Sequence, residues 1–202
     1  MIGYDDIEQA IKDLLAQQQT YGKWPWLATV KSYGGEFDED LLDVVKRFPA
    51  IWVTTAGSDG SPEKMAHNKV KDSVKVVVLV GASSMRNEEA RRHGAGADIG
   101  TYSMLKHVRA LLINNTLKSV GLEGLDPLEL GKTKTIFNTM VRGQSISVLA
   151  QEFTTGFVIK ASDRDREEED TVEEIRRINI DYYLQPNDNH VDASDLVELK
   201  EK

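Results

Sequence analysis

The run VKVVVLVGA, at residues 74–82, constrains the fold of this chain more than any other stretch of its sequence. It is almost continuously apolar and lacks the alternation that is typical of a strand with one face in water. We therefore predict a central strand of a sheet, covered on both faces. Two further long strands, 128–137 and 144–159, are joined by NTMVRG and are predicted to pair as a hairpin.

Three helical patterns flank these strands. The first follows Asp5 and Asp6, either of which can cap it, and its apolar positions are Ile7, Ile11, Leu14 and Leu15. The second is FDEDLLDVVKRFP at 37–49, with acidic residues in its first turn and basic residues in its last turn. The third begins at Gly100, and its apolar stripe consists of Tyr102, Leu105, Val108, Leu111 and Leu112.

Shorter strands are predicted in two places. One is WPWLATVKSY at 24–33, where Pro25 holds the start, and the other is AIWVTTAG at 50–57, followed by the turn cluster SDGSP. Helices mixed with strands, and a hairpin near the end of the core, predict an α+β fold in which helices pack on a mixed or antiparallel sheet. A doubly wound α/β fold fits less well because too many strands are consecutive.

The length and composition predict one core domain with an extension. The chain has 202 residues, of which 40% are hydrophobic. We assign the core to 1–160, with a mobile loop at about 84–99, and a charged linker with a C-terminal extension to 161–202. The extension contains one strand-like segment, INIDYYL at 178–184.

The charge and the chain's first residues exclude several classes of protein. A net charge of -8, from 33 acidic and 25 basic residues, argues against binding nucleic acid through the overall field. The chain has no cysteine, which excludes disulfides, thiolate metal sites and a cysteine nucleophile. The acidic start MIGYDDIEQ does not resemble a secretion signal, and no window approaches the roughly 18 apolar residues of a membrane span. We expect a cytosolic protein without a membrane partner.

No motif for catalysis or cofactor binding survives inspection of its spacing. Gly94, Gly96 and Gly100 are one residue off the dinucleotide fingerprint and lie too far after the preceding strand. Gly-Lys-Thr at 131–133 lacks the earlier glycine of a phosphate-binding loop, because Asp126 occupies that position. The four histidines show no metal-ligand spacing, and the acids at 163–170 do not form a calcium loop. We therefore predict no catalytic, cofactor or metal site.

Several phrases of the sequence, in order, resemble a family of Mu-like phages and prophages. They are RNEEARRHGAGADIGTYSMLKHVRALL, LDPLELGKTKTIFNT, SISVLAQEFTTGFVI, DYYLQPND and ASDLVEL, and the likeness extends from Ile7 to Leu199. The resemblance implies the tail terminator of a contractile-tailed particle: a structural virion protein, not an enzyme, with an α+β fold. It implies a homohexameric ring on the last ring of tail tube, which stops tube and sheath polymerisation and offers a docking surface to the head-completion proteins.

If this interpretation holds, two segments are candidate interfaces with a neighbouring subunit or the tube. The first is the loop carrying Arg86, Arg91 and Arg92, whose guanidinium groups would meet carboxylates across the interface. The second is the alternating segment with Ile178, Ile180 and Tyr182, which would add a strand to a neighbour's sheet edge. DNA would pass through the ring without specific binding, because net negative charge repels phosphate.

Three alternatives stay open at this point. The chain could be a head-side adaptor or stopper of the head–tail connector, which would bind the portal and not the tube. It could be a nuclease whose carboxylates converge only in the folded chain, which a divalent-metal titration would test. It could also be a monomeric module that binds a host protein. The oligomeric state of the free protein does not follow from the sequence.

Overall fold

A computed structural model describes residues 2–35, 44, 46–66, 68–84, 92, 99–141, 144–160, 177–182, 191 and 193–198. The chain divides into two compact units, Met1–Ala161 and Ser162–Lys202. The elements of the first unit are α1 (Tyr4–Thr20), β1 (Thr29–Ser32), β2 (Ala50–Ser58), β3 (Glu63–Ala66), β4 (Lys69–Ser84), α2 (Thr101–Leu112), β5 (Glu129–Val141) and β6 (Gln144–Lys160). The second unit contains β7 (Arg177–Tyr182) and β8 (Ala193–Glu198).

Within the described residues, six strands form one mixed sheet with the order β1-β2-β4-β6-β5, and β3 pairs with β4 beside this path. β1 runs parallel to β2, and the other pairs are antiparallel. This confirms the α+β fold. It also confirms the central strand, because β4 lies between β2 and β6, with Val80 opposite Ile51 on one side and Leu149 on the other.

The two helices and the inner face of the sheet enclose the main core. Alternate β4 residues, Val76, Val78 and Val80, are fully buried in one cluster with the apolar positions of both helices. The predicted apolar stripe of α1 is confirmed, because Ile7, Ile11, Leu14 and Leu15 all belong to this cluster. Each such side chain contributes about 1.5–3 kcal/mol of transfer free energy.

A smaller apolar cluster covers part of the opposite sheet face. It contains Trp52, Leu79 and Ala150, with Phe48 packed against it. The rings of Phe48 and Trp52 meet edge to face, with centroids 5.8 Å apart. Phe48 lies directly over Gly81, where any side chain would collide with its ring. The central strand is thus covered on both faces here, as predicted from its apolar run.

The hairpin of β5 and β6 is confirmed and is longer than expected. Its ladder runs from the pair of Glu129 with Thr154 to the pair of Val141 with Gln144, so the predicted connecting segment NTMVRG is mostly strand. Register shifts in β5, between Leu130 and Thr133 and again between Thr135 and Phe137, mark bulges.

Some local predictions need correction. The N-cap of α1 is Gly3 and not Asp5 or Asp6; Asp6 instead accepts a hydrogen bond from the Gly3 amide over 2.8 Å. In α2, Tyr102 is exposed, and Met104 is buried in the stripe in its place. The strand predicted over 24–33 is limited to β1, and Pro25 lies in the turn before it. β3 follows the turn cluster SDGSP, where no strand was expected.

The second predicted helix, 37–49, falls largely outside the described residues. Val44 is helical and buried there, and Lys46 and Arg47 lie in a turn.

The C-terminal unit contains a two-stranded antiparallel sheet of β7 and β8. β7 confirms the strand predicted from the alternation in INIDYYL, whereas β8, in the segment ASDLVEL, was not predicted. Ile178 pairs with Val197, Ile180 with Asp195, and Tyr182 with Ala193. Because directly opposed residues share a face, these six side chains lie on one face of the hairpin.

Candidate interaction surfaces

A buried amide joins the β5–β6 hairpin to helix α2. Gln151 of β6 is fully buried, and its Oε1 accepts hydrogen bonds from Arg109 Nε and Thr133 Oγ1, both at 2.8 Å. Its Nε2 donates to the carbonyl oxygens of Gly131 at 3.0 Å and Lys132 at 3.3 Å, which belong to the first β5 bulge. The cluster therefore satisfies the carbonyls that the bulge takes out of the ladder and holds the shape of β5.

A second buried polar cluster holds the irregular end of β2. Asp72 is 5% exposed, and its carboxylate accepts hydrogen bonds from Ser58 Oγ and from Tyr4 OH, the latter at 2.8 Å. Ser58 follows the register shift in β2, so Asp72 ties that shift to the start of α1. Both oxygens of this carboxylate therefore have hydrogen-bond partners within the core unit.

Ion pairs lie on the sheet face opposite the main core, on the part that the smaller apolar cluster does not cover. Lys134 Nζ lies 2.6 Å from Glu152 Oε1, and Lys75 Nζ lies 2.8 Å from Asp59 Oδ1. The hydrogen bond from Lys134 lowers the pKa of Glu152 against the opposing effect of burial. The hydrogen bond with Asp59 raises the pKa of Lys75, and the same bond lowers the pKa of Asp59. This half of the face is therefore charged but locally neutralised.

The pair of Lys134 with Glu152 predicts a pH-dependent contribution to stability. Because the folded state lowers the pKa of Glu152, the stabilisation is present above the ordinary glutamate range and is lost as pH falls through the lowered pKa. We expect Lys134→Met to lower the free energy of unfolding at neutral pH by about 1 kcal/mol or less. Urea titrations across the acidic range should show this difference vanish, whereas Lys106→Met, on exposed α2 surface, should cause no such difference.

The β5 strand forms one edge of the main sheet. It pairs with β6 on one side, and no described strand lies on its other side. Its residues from Glu129 to Ile136 are all exposed, including the apolar side chains of Leu130, at 46%, and Ile136, at 42%. Such an edge presents N–H and C=O groups that can pair with another strand, apart from the Gly131 and Lys132 carbonyls, which Gln151 binds.

The hairpin of the C-terminal unit presents an exposed apolar face. Ile178, Ile180 and Tyr182, the predicted interface residues, do lie together on one face with Val197, and each is roughly two-fifths exposed. Tyr182 OH donates a hydrogen bond to Asp195 on the same face, at 3.2 Å. All described side chains of both strands are exposed.

The two units differ completely in charge. Residues 1–161 contain 19 acidic and 19 basic residues, whereas residues 162–202 contain 14 acidic and 6 basic residues. The net charge of -8 therefore lies entirely in the C-terminal unit, and the core unit is neutral. Counting charges by segment would have revealed this from the sequence; counting over the whole chain hides it.

The predicted arginine loop is only partly described. Arg86 and Arg91 lie outside the described residues, as does most of the loop expected at 84–99. Arg92 is helical and partly buried. The sequence interpretation missed Lys132 and Lys134 as surface residues, because it treated their segment only as a failed phosphate-binding motif.

Among the described residues, no group of three or more histidine or acidic side chains could hold a metal ion. An open groove of about 370 Å³ lies between α1 and β1, but Lys12, which lines it, donates its hydrogen bond to Ser32 at 2.9 Å. None of the described helices has the length and apolar character that a membrane span requires. Nothing in the described part of the chain supports the nuclease alternative.

The fold and its surfaces define an α+β protein with an exposed edge strand and an exposed C-terminal hairpin. The family model of "Bacteriophage Mu, Gp37" matches residues 5–158, nearly the whole core unit. The chain therefore belongs to the bacteriophage Mu Gp37 family, as its resemblance to Mu-like phage proteins predicted. No curated protein matches the chain in a sequence comparison. Family membership makes this a Mu-like phage protein, and it supports a structural, virion-associated role.

Proposed function

We propose that the chain is the tail terminator of a Mu-like phage or prophage particle. A homohexameric ring of it binds the last ring of tail tube, stops tube and sheath polymerisation, and presents a docking surface to the head-completion protein. The family match over residues 5–158 carries this proposal, together with the ordered resemblance that extends to Leu199. A ring protein needs surfaces for two neighbours, and the exposed β5 edge and the C-terminal hairpin are available for this role.

The charge distribution is compatible with the passage of DNA through such a ring. A neutral core unit attracts no phosphate through its net charge, and an acidic C-terminal unit repels it. A protein that held DNA at this point would impede its movement. The expected contact with DNA is therefore weak and without sequence preference.

The direct test mixes the purified protein with tail tube protein and images the products by negative-stain electron microscopy. We expect tubes of limited length with a ring of this protein at one end, and mass photometry of the protein alone reports whether the ring forms without the tube. A tube preparation with bovine serum albumin in place of the protein is the control. Tubes that grow unchanged and uncapped would contradict the terminator role and favour a head-side adaptor or stopper, for which portal protein is the next binding partner to test.

The arginine loop gives a second test of the proposal. Replacing Arg86, Arg91 and Arg92 with alanine should leave the circular dichroism spectrum unchanged and reduce the fraction of capped tubes severalfold. The reason is that guanidinium groups form bidentate bonds with carboxylates across interfaces. The control is Lys118→Ala, at an exposed position on the surface of the core unit. Capping at the wild-type level by the triple variant would exclude this loop as an interface.

A further inference from the structure

We infer that the free edge of β5 in one copy of the chain binds strand β7 of a second copy, so that the C-terminal hairpin extends its neighbour's sheet. This inference rests on the proposed function, because it specifies how ring subunits are joined. Two observations carry it: an exposed edge strand in a neutral unit, and an exposed, acidic hairpin in the other unit.

The β5 edge has the length and the exposure that strand addition needs. It spans 13 residues, whereas β7 spans 6, so the whole of β7 fits along part of it. Residues 129–136 are exposed, and the buried amide of Gln151 holds the backbone around their first bulge. The edge is therefore prepared in the folded chain and does not have to be ordered by its partner.

The charges of this edge select an acidic partner. Lys132 is exposed on β5, whereas the charge of the neighbouring Lys134 is already balanced by Glu152. A lysine on an edge strand opposes pairing with another basic edge, such as a second β5. The described part of the hairpin carries Asp181, Asp195 and Glu198, all exposed, and one basic residue, Arg177, so its net charge is -2 within a unit of net charge -8. Pairing of two such hairpins with each other is opposed by their like charge, whereas pairing with the lysine-bearing edge is favoured.

The hairpin itself needs a partner. A two-stranded sheet is at best marginally stable in water, and here Ile178, Ile180 and Tyr182 remain exposed on one face. Addition to a longer sheet supplies a third strand for β7 and brings these side chains to the strand edge that carries Leu130 and Ile136, two exposed apolar residues of β5.

A second copy is the occupant because a ring joins identical subunits, so each subunit must offer both a donor and an acceptor surface. The segment between β6 and β7 sets how far the hairpin can reach from its own core unit. Residues 161–176 number 16, and a chain of this length spans at most about 50 Å when extended. Exchange of the same segment around a closed ring gives each subunit one donated and one accepted hairpin.

The native chain has no cysteine, so pairs of single-cysteine variants report the contact directly. The edge variants are Lys132→Cys, Thr135→Cys and Ile136→Cys, and the hairpin variant is Asn179→Cys; all four positions are exposed. Each edge variant is mixed with the hairpin variant under mild oxidation, and the linked dimer is quantified by mass spectrometry. Lys31→Cys, on the opposite sheet edge, is the matched control.

We expect at least one β5 variant to give a severalfold higher yield of the mixed dimer than Lys31→Cys. Adding Lys132→Glu to the Thr135→Cys chain should reduce that yield, and Asp181→Lys with Asp195→Lys in the hairpin chain should restore it.

Equal yields at both edges, or no mixed dimer at any β5 position, would overturn the inference. So would a disulfide within single chains of the Thr135→Cys/Asn179→Cys double variant. Tube capping by the unmodified protein is scored separately: mixed dimers without capping reject the terminator role alone, and capping without mixed dimers rejects this contact alone.

Discussion

Phe153→Ala is expected to lower the free energy of unfolding of the core unit by about 3–5 kcal/mol. Phe153 is fully buried and lies on β6 between Val76 of β4 and Leu130 of β5. Removing the ring loses its transfer free energy and leaves a cavity that the long strands on either side cannot close, because their ladders fix their spacing.

Urea unfolding monitored by circular dichroism measures the effect of this substitution. Val158→Ala on the same strand is the control, because Val158 is 40% exposed and the change should stay within about 0.5 kcal/mol. Equal stability losses for the two variants would mean that the inner face around Phe153 is not the densely packed core described here.

Gln151→Leu is expected to destabilise the core by about 2–4 kcal/mol, although leucine is close to glutamine in size. The substitution leaves the carbonyls of Gly131 and Lys132 without the donor that now satisfies them, and it leaves Arg109 Nε without its acceptor. A polar group left without a partner costs about 1–3 kcal/mol where it is buried and less where water reaches it.

Thr133→Val measures how much the exposed part of this hydrogen-bond network contributes to stability. The threonine hydroxyl bonds Gln151 from an exposed position, so its loss should cost less than half as much as Gln151→Leu in the same urea titration. Because Gln151 shapes the β5 edge, we also expect Gln151→Leu to reduce tube capping at temperatures where the protein stays folded. Wild-type stability in Gln151→Leu would show that water replaces the amide and that the bulge does not depend on it.

The two units present different problems to an interpretation based on sequence. In the core, the spacing of apolar residues predicted both described helices and the long strands. Each element buries one face, and the interval between its buried residues differs between a helix and a strand. In the C-terminal unit, the alternation of Ile178, Ile180 and Tyr182 predicted β7, but nothing local predicted its pairing with β8. Ala193 to Glu198 form a strand in which every side chain is exposed. Their sequence therefore lacks the alternation of apolar and polar residues from which a strand is predicted.

The apolar pattern of the sequence was enough to predict the central strand, the β5–β6 hairpin and the α+β class, because continuous and periodic apolar patterns depend only on which faces meet water. Only the folded chain shows that β5 lies at the sheet edge, although it follows the central strand in the chain. The same is true of the burial of Gln151 beneath a bulge, the outward position of Tyr102 and the pairing of Lys134 with Glu152. These features depend on which strands become neighbours, and long-range pairing is set by the packing of the whole core and not by the spacing of residues along one element.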